Sequence, residues 1–201
     1  MRVLIHGSDE RLERALRERG LDLVCEGDAG ALVTLGPPPV LRPLAELTPD
    51  EWIARFQRWT EEPFWAIQTW LQAVLGRGEP GRLVALTTTL AVQPFPGGGA
   101  DGAAAVALHT LVRIAAVEYG ARGIRANAIA AGWRQATVPR ALDPELAVAD
   151  TPSGRLTSES DLAAAVMWLL SDDADQINGE ILRVDGGYTV TGGSEPDPRR
   201  K

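Results

Sequence analysis

LHTLVRIAAVEYGARGIRANAIAAGW, residues Leu108 to Trp133, decides how the rest of the chain is read. Leu111, Ile114, Ala115 and Glu118 recur at three- and four-residue spacing, which predicts a helix with one continuous face. Gly120 and Gly123 end it, because glycine accepts the left-handed conformation found at helix C-termini. Ile124 to Ile129 then predicts a buried strand, and Gly132 a turn at its carboxyl end. In open α/β sheets, ligands bind beyond such carboxyl ends.

Working outward, the N-terminal side repeats the theme. Arg2 to Gly7 predicts a short strand ending at a glycine, and Ser8 or Asp9 caps a helix over 10–19. Leu21–Cys25 and Ala31–Gly36 predict two further strands, followed by the stiff extended loop Pro37-Pro38-Pro39. Thr48-Pro49-Asp50-Glu51 combines an N-cap, a first-turn proline and a capping box. The helix it starts carries Trp52, Phe56, Trp59, Trp65 and Trp70, with Pro63 expected to kink or break it. Arg82–Leu86 is a strand ending in Thr87-Thr88-Thr89. On the C-terminal side, 136–153 reads as an irregular loop, Ser158–Leu170 as a helix and Ile181–Val184 as the last strand. Residues 1–193 form one domain in this reading, and 194–201 a disordered polar tail.

Composition bounds the function. The chain has 201 residues, 45% of them hydrophobic and 23% charged, enough for one domain with a sizeable core. A net charge of -7 argues against non-specific nucleic-acid binding. A single cysteine, Cys25, excludes an internal disulfide. No continuous run approaches the roughly 18 apolar residues of a membrane span, and no signal-peptide pattern opens the chain, so a cytoplasmic location is expected. His6 and His109 are the only histidines, and their spacing to carboxylates makes no metal site. A GxSxG elbow, a P-loop and a CxxC pair are all missing.

The quoted stretch resembles the segment after the catalytic helix start of short-chain dehydrogenases/reductases. GRLTSESDLAAAVMWLLSDDADQINGEILRVDGGYTVT resembles that family's C-terminal closure, and MRVLIHGSDERLERAL and PLAELTPDEWIARFQRW resemble its earlier parts. The resemblance implies an α/β fold: a three-layer, Rossmann-like parallel sheet with helices on both faces. Between Cys25 and Ala31 about one helix-strand-helix unit is missing, and with it one wall of the adenine site.

The resemblance also implies where the chemistry belongs. Of the family's GxxxGxG turn Gly7 remains, while Arg11 and Glu13 hold the other two glycine positions. Asp9 and Glu10 add negative charge where a diphosphate would bind a helix N-terminus. Trp59 stands at the active-site asparagine, and Thr88 at the catalytic serine, thirteen residues before position 101. Asp101 and Ala105 fall on the tyrosine and lysine of YxxxK. Ala131-Gly132 replaces Pro-Gly, and Ala136 falls at the following threonine. Asp101 has two readings, a general base or a helix N-cap.

By subtraction, the sequence predicts a non-redox relative that needs no cofactor or metal and is not an active NAD(P)-dependent oxidoreductase. Its first expected role is structural, through an interface of Trp52, Phe56, Trp65, Trp70, Ala103, Ala107, Leu108 and Leu111. The partner is either a second copy or an active paralogue, with neither nucleic acid nor membrane involved. The second role is a cofactor-free dehydratase, isomerase or cyclase, with Asp101, Thr88 and Trp59 lining the old substrate cleft and Trp133 and Arg134 at its mouth. The third is a residual NAD(P)-dependent oxidoreductase.

Overall fold

The computed structural model describes residues 1–139 and 142–191. The expected tail over 194–201 lies outside the described residues. Within them the chain runs β1 (Arg2–His6), α1 (Glu10–Glu18), β2 (Asp22–Val24), β3 (Ala31–Leu35), α2 (Pro49–Phe56), α3 (Glu62–Arg77) and β4 (Gly81–Thr88). It continues through α4 (Gly99–Tyr119), β5 (Ile124–Ala131), α5 (Pro144–Ala149), α6 (Glu159–Leu169) and β6 (Ile181–Val184).

The strands form one parallel sheet in the order β2-β1-β3-β4-β5-β6. The longest pairing, β4 with β5, runs from Gly81 opposite Ile124 to Thr88 opposite Ala131. Side chains alternate between the faces, as strand geometry requires. Val3, Ile5, Val33, Val84, Leu86 and Ile129 join Leu12 and Leu16 of α1 and Leu162 and Val166 of α6 in one core. Leu32, Leu83, Ala85, Ala126 and Ala128 meet Trp70 and Val74 of α3 and Leu108 and Val112 of α4 in the other. These are the predicted three layers. The chain passes from β2 to β3 across β1 in residues 25–30 with no helix or strand between, as expected for the missing unit.

Local chemistry sets the helix ends. Asp9 caps α1, its Oδ1 accepting from the Leu12 N–H at 3.1 Å while Glu13 Oε1 accepts from the Asp9 N–H at 3.2 Å. Thr48–Glu51 and Ser158–Asp161 each form a reciprocal capping box at α2 and α6. Pro63, expected to kink or break the helix, stands in the first turn of α3, just after the α-helix is interrupted. Having no N–H, it cannot satisfy the carbonyl one turn back, and a π-helical turn over Gln57–Glu61 carries the chain from α2 into α3.

Three further expectations need correction. Asp101 is not an N-cap: α4 starts at Gly99 after Gly98, and Asp101 lies in its first turn. The loop after β5 contains a short helix, α5, started by Asp143, whose Oδ1 accepts from the Glu145 N–H at 2.9 Å, with Pro144 in the first turn. The helical stretch Gly99–Arg122 is long and apolar enough to cross a membrane, counting α4 with the turn after it. Much of it is instead buried over the sheet, where its alanines give close contact with β5.

Candidate functional site at the strand ends

Two positions shape the crevice beyond the sheet. Gly7 ends β1 with φ +89, and a Cβ there would lie 2.5 Å from the Leu35 carbonyl oxygen. This glycine lets the turn into α1 pass against β3. Gly36 ends β3, and a Cβ there would collide with the six-membered ring of Trp59. The indole, 2% exposed, therefore packs directly on the backbone at the strand end.

The crevice between β3, β4 and β5 is walled by Gly36, Trp59, Thr88, Gly132, Trp133 and Arg134, and its volume is about 20 Å³. That is room for about one water. Trp133 is held edge-on by Phe95 and Tyr188, at centroid distances of 5.4 and 6.2 Å. Thr88 Oγ1 accepts from the Leu90 N–H at 3.3 Å, and its own proton finds no acceptor among the described residues. The buried Nε1–H groups of Trp59 and Trp133 also have no acceptor there. An unmet buried donor costs on the order of 1–3 kcal/mol, so these walls favour a ligand that brings acceptor oxygens.

Thr88, Trp59, Trp133 and Arg134 therefore come together as predicted, but Asp101 does not join them. Its carboxylate is 1% exposed and is grasped by both Nε and Nη2 of Arg55. It also accepts the Val40 N–H at 2.7 Å. Arg55 Nη2 reaches the Pro38 carbonyl at 2.9 Å. Asp101 thus ties α4 and α2 to the triple-proline loop, and its lone pairs are engaged. Sequence reasoning missed Arg55. The available signal was the apolar, glycine-rich start of α4: a carboxylate buried there needs a cation.

Arg134, placed at the mouth, is buried as well. Its guanidinium meets Asp9 Oδ2 at 2.6 Å and Glu159 Oε1 at 3.8 Å. This was the second miss: Asp9 both caps α1 and holds Arg134 across the crevice. A dinucleotide's diphosphate would need free N–H groups at this helix start. The Leu12 N–H is given to Asp9, the Asp9 N–H to Glu13, and the local charge is negative. In this arrangement residues 7–13 do not fit a diphosphate.

Both histidines are partly or wholly buried. His109 on α4 faces the sheet, its Nε2 lying 2.7 Å from Thr87 Oγ1 on β4. The Thr87 hydroxyl donates to the Ile129 carbonyl at 3.1 Å, so the imidazole Nε2–H is the donor to Thr87. Burial, aided by the charge of Arg113, lowers the His109 pKa to about 4. Burial also lowers that of His6, with Glu62 opposing. Among the described residues no group of three His, Cys, Asp or Glu side chains could hold a metal.

The predicted interface set divides. Trp70 and Leu108 belong to the core and not to a surface: Trp70 is 3% exposed and donates Nε1–H to the Ala29 carbonyl at 3.1 Å. Trp52, Trp65 and Ala103 are exposed, and Phe56, Ala107 and Leu111 are half-buried.

With this geometry in place, comparison defines the class. The chain belongs to the short-chain dehydrogenase/reductase family: the family model described as Enoyl-(Acyl carrier protein) reductase matches residues 30–189. It is 31% identical over 167 residues to the 2,5-dichloro-2,5-cyclohexadiene-1,4-diol dehydrogenase of Sphingobium indicum, covering 80% of this chain and 67% of that one. It is 36% identical over 134 residues to the galactitol 2-dehydrogenase (L-tagatose-forming) of Cereibacter sphaeroides, covering 63% of this chain and 52% of the relative. The chain thus matches only about half the length of the galactitol dehydrogenase. The fold is shared with a gluconate 5-dehydrogenase from Burkholderia cenocepacia solved with NADP and tartrate, at a TM-score of 0.83, 22% identity and coverage of 94% and 95%. Relatives named as dehydrogenases overturn the expectation of a non-redox subunit and of a chain without oxidoreductase activity. The family match extends from β3 to β6 in spite of the losses at individual motif positions.

Proposed function

We propose that this protein is an NAD(P)-dependent oxidoreductase acting on a small carbonyl compound or the corresponding alcohol, the cofactor entering once the turn over residues 7–13 rearranges from the arrangement described above. The observation that carries the reading is the identity to two curated dehydrogenases, 36% over 134 residues and 31% over 167. The crevice supports the substrate class. Thr88 offers a hydroxyl proton at the end of β4, and two crevice-walling indoles have unmet N–H groups. A carbonyl oxygen is the acceptor such a site favours.

The test is a titration with NADH and NADPH, read by quenching of the tryptophans. Turnover is then followed by nicotinamide absorbance with sugar alcohols, cyclohexanols and enoyl thioesters. Saturable quenching with turnover of one class supports the proposal. Neither binding nor turnover with any of them would sink it.

We also propose that a second copy covers the outer face of α3 and α4. Trp65, Ile114 and Val117 are 54, 47 and 83% exposed there. A groove between the two helices, lined by Phe64, Leu71, Leu75 and Leu111, offers complementary apolar surface.

A further inference from the structure

A second cavity, of about 340 Å³, lies between α4 and the edge strand β6, away from the crevice. Its apolar wall is Ala91, Val92, Val106 and Ile181. Its polar groups are Arg113 from α4, Glu180 and Arg183 around β6, and the ring of His109. No ion pair within 4.0 Å joins Arg113, Glu180 or Arg183 to any partner among the described residues. Asp185, whose charge reaches Arg183, is itself engaged by the Gly187 and Thr189 N–H groups and by the Thr189 hydroxyl.

His109 gives the cavity its chemical character. The hydrogen bond from its Nε2–H to Thr87 fixes the tautomer, so Nδ1 is a bare acceptor, and it has no partner among the described residues. The cavity therefore offers two guanidinium donors, two acceptors in Nδ1 and the Glu180 carboxylate, and one net positive charge. We infer that it is a binding site for a small aliphatic hydroxycarboxylate. The carboxylate pairs with Arg113 and Arg183. The hydroxyl donates to His109 Nδ1 or Glu180, and the branched carbon body lies on Val92, Val106 and Ile181. A monoanion neutralises the cavity, whereas a zwitterionic amino acid leaves it charged.

The probe is 2-hydroxy-3-methylbutanoate, compared with 3-methylbutanoate, which lacks the hydroxyl, and with valine, which replaces it by an ammonium. The readout is the NMR signals of the two histidine rings in the whole protein, with His6 as internal control. The site predicts a saturable shift of His109 and none of His6. It predicts about tenfold weaker binding of 3-methylbutanoate, and a loss of about tenfold or more in Arg113→Gln and in Arg183→Gln. The absence of saturation, an undiminished response in the double variant, or binding of valine at least as tight as the hydroxy acid would overturn it. None of these outcomes depends on cofactor binding at the crevice, so failure here and failure of the oxidoreductase reading are separable.

Discussion

Asp9 carries two duties on one carboxylate, capping α1 through Leu12 N–H and pairing with Arg134 across the crevice. Asparagine caps a helix about as well as aspartate, so Asp9→Asn keeps the fold while leaving the guanidinium only its longer contact with Glu159. Asp9→Asn with Glu13→Gln is expected to tighten NADH or NADPH binding by about tenfold, about 1.4 kcal/mol, as read by tryptophan quenching. Unchanged or weaker affinity would show that these carboxylates do not obstruct the cofactor. His109 makes a different prediction. Its folded pKa is depressed to about 4 from an unfolded value near 6.5, so the unfolded chain binds the extra proton first as pH falls. Its contribution is complete above about pH 6.5, declines through the interval below and is lost near pH 4, amounting to roughly 3 kcal/mol in all. Denaturant unfolding of His109→Gln should therefore vary less with pH across that interval than the parent, while the similarly directed but smaller influence of His6 remains.

At the level of elements, what could be read beforehand was what is written locally. The capping box at Thr48, the glycines after α4 and the apolar runs of β4 and β5 use residues within a few positions of one another. The Asp101–Arg55 and Asp9–Arg134 pairs join residues 46 and 125 positions apart, and no spacing rule reaches that far. Trp70 was misassigned because a helix pattern shows which residues share a face but not what covers it. Ser158→Ala should cost about 1 kcal/mol by removing one half of a capping box. Trp70→Ala should cost about 3–5 kcal/mol, because it empties the core between α3, β3 and β4 and strands the Ala29 carbonyl. Equilibrium urea unfolding separates the two, and a Trp70→Ala loss as small as that of Ser158→Ala would contradict the core assignment.

At the scale of the whole molecule, one proposal concerns association and one observation opposes another kind of it. If a second copy covers α3 and α4, Val117→Asp with Ile114→Asp should convert a dimer to a monomer in sedimentation equilibrium without lowering the melting temperature of the monomer. A parent protein that sediments as a monomer at micromolar concentration would refute the pairing. The sheet itself tapers: β4 and β5 have eight residues each, whereas the two edges, β2 and β6, have three and four. An exposed strand edge is a template on which stray chains can add. With about 10 Å of open backbone on one side and a charged Arg183 outward on the other, this protein gives amyloid-like growth almost nowhere to begin. It should stay free of fibrils at concentrations where longer-edged sheets do not.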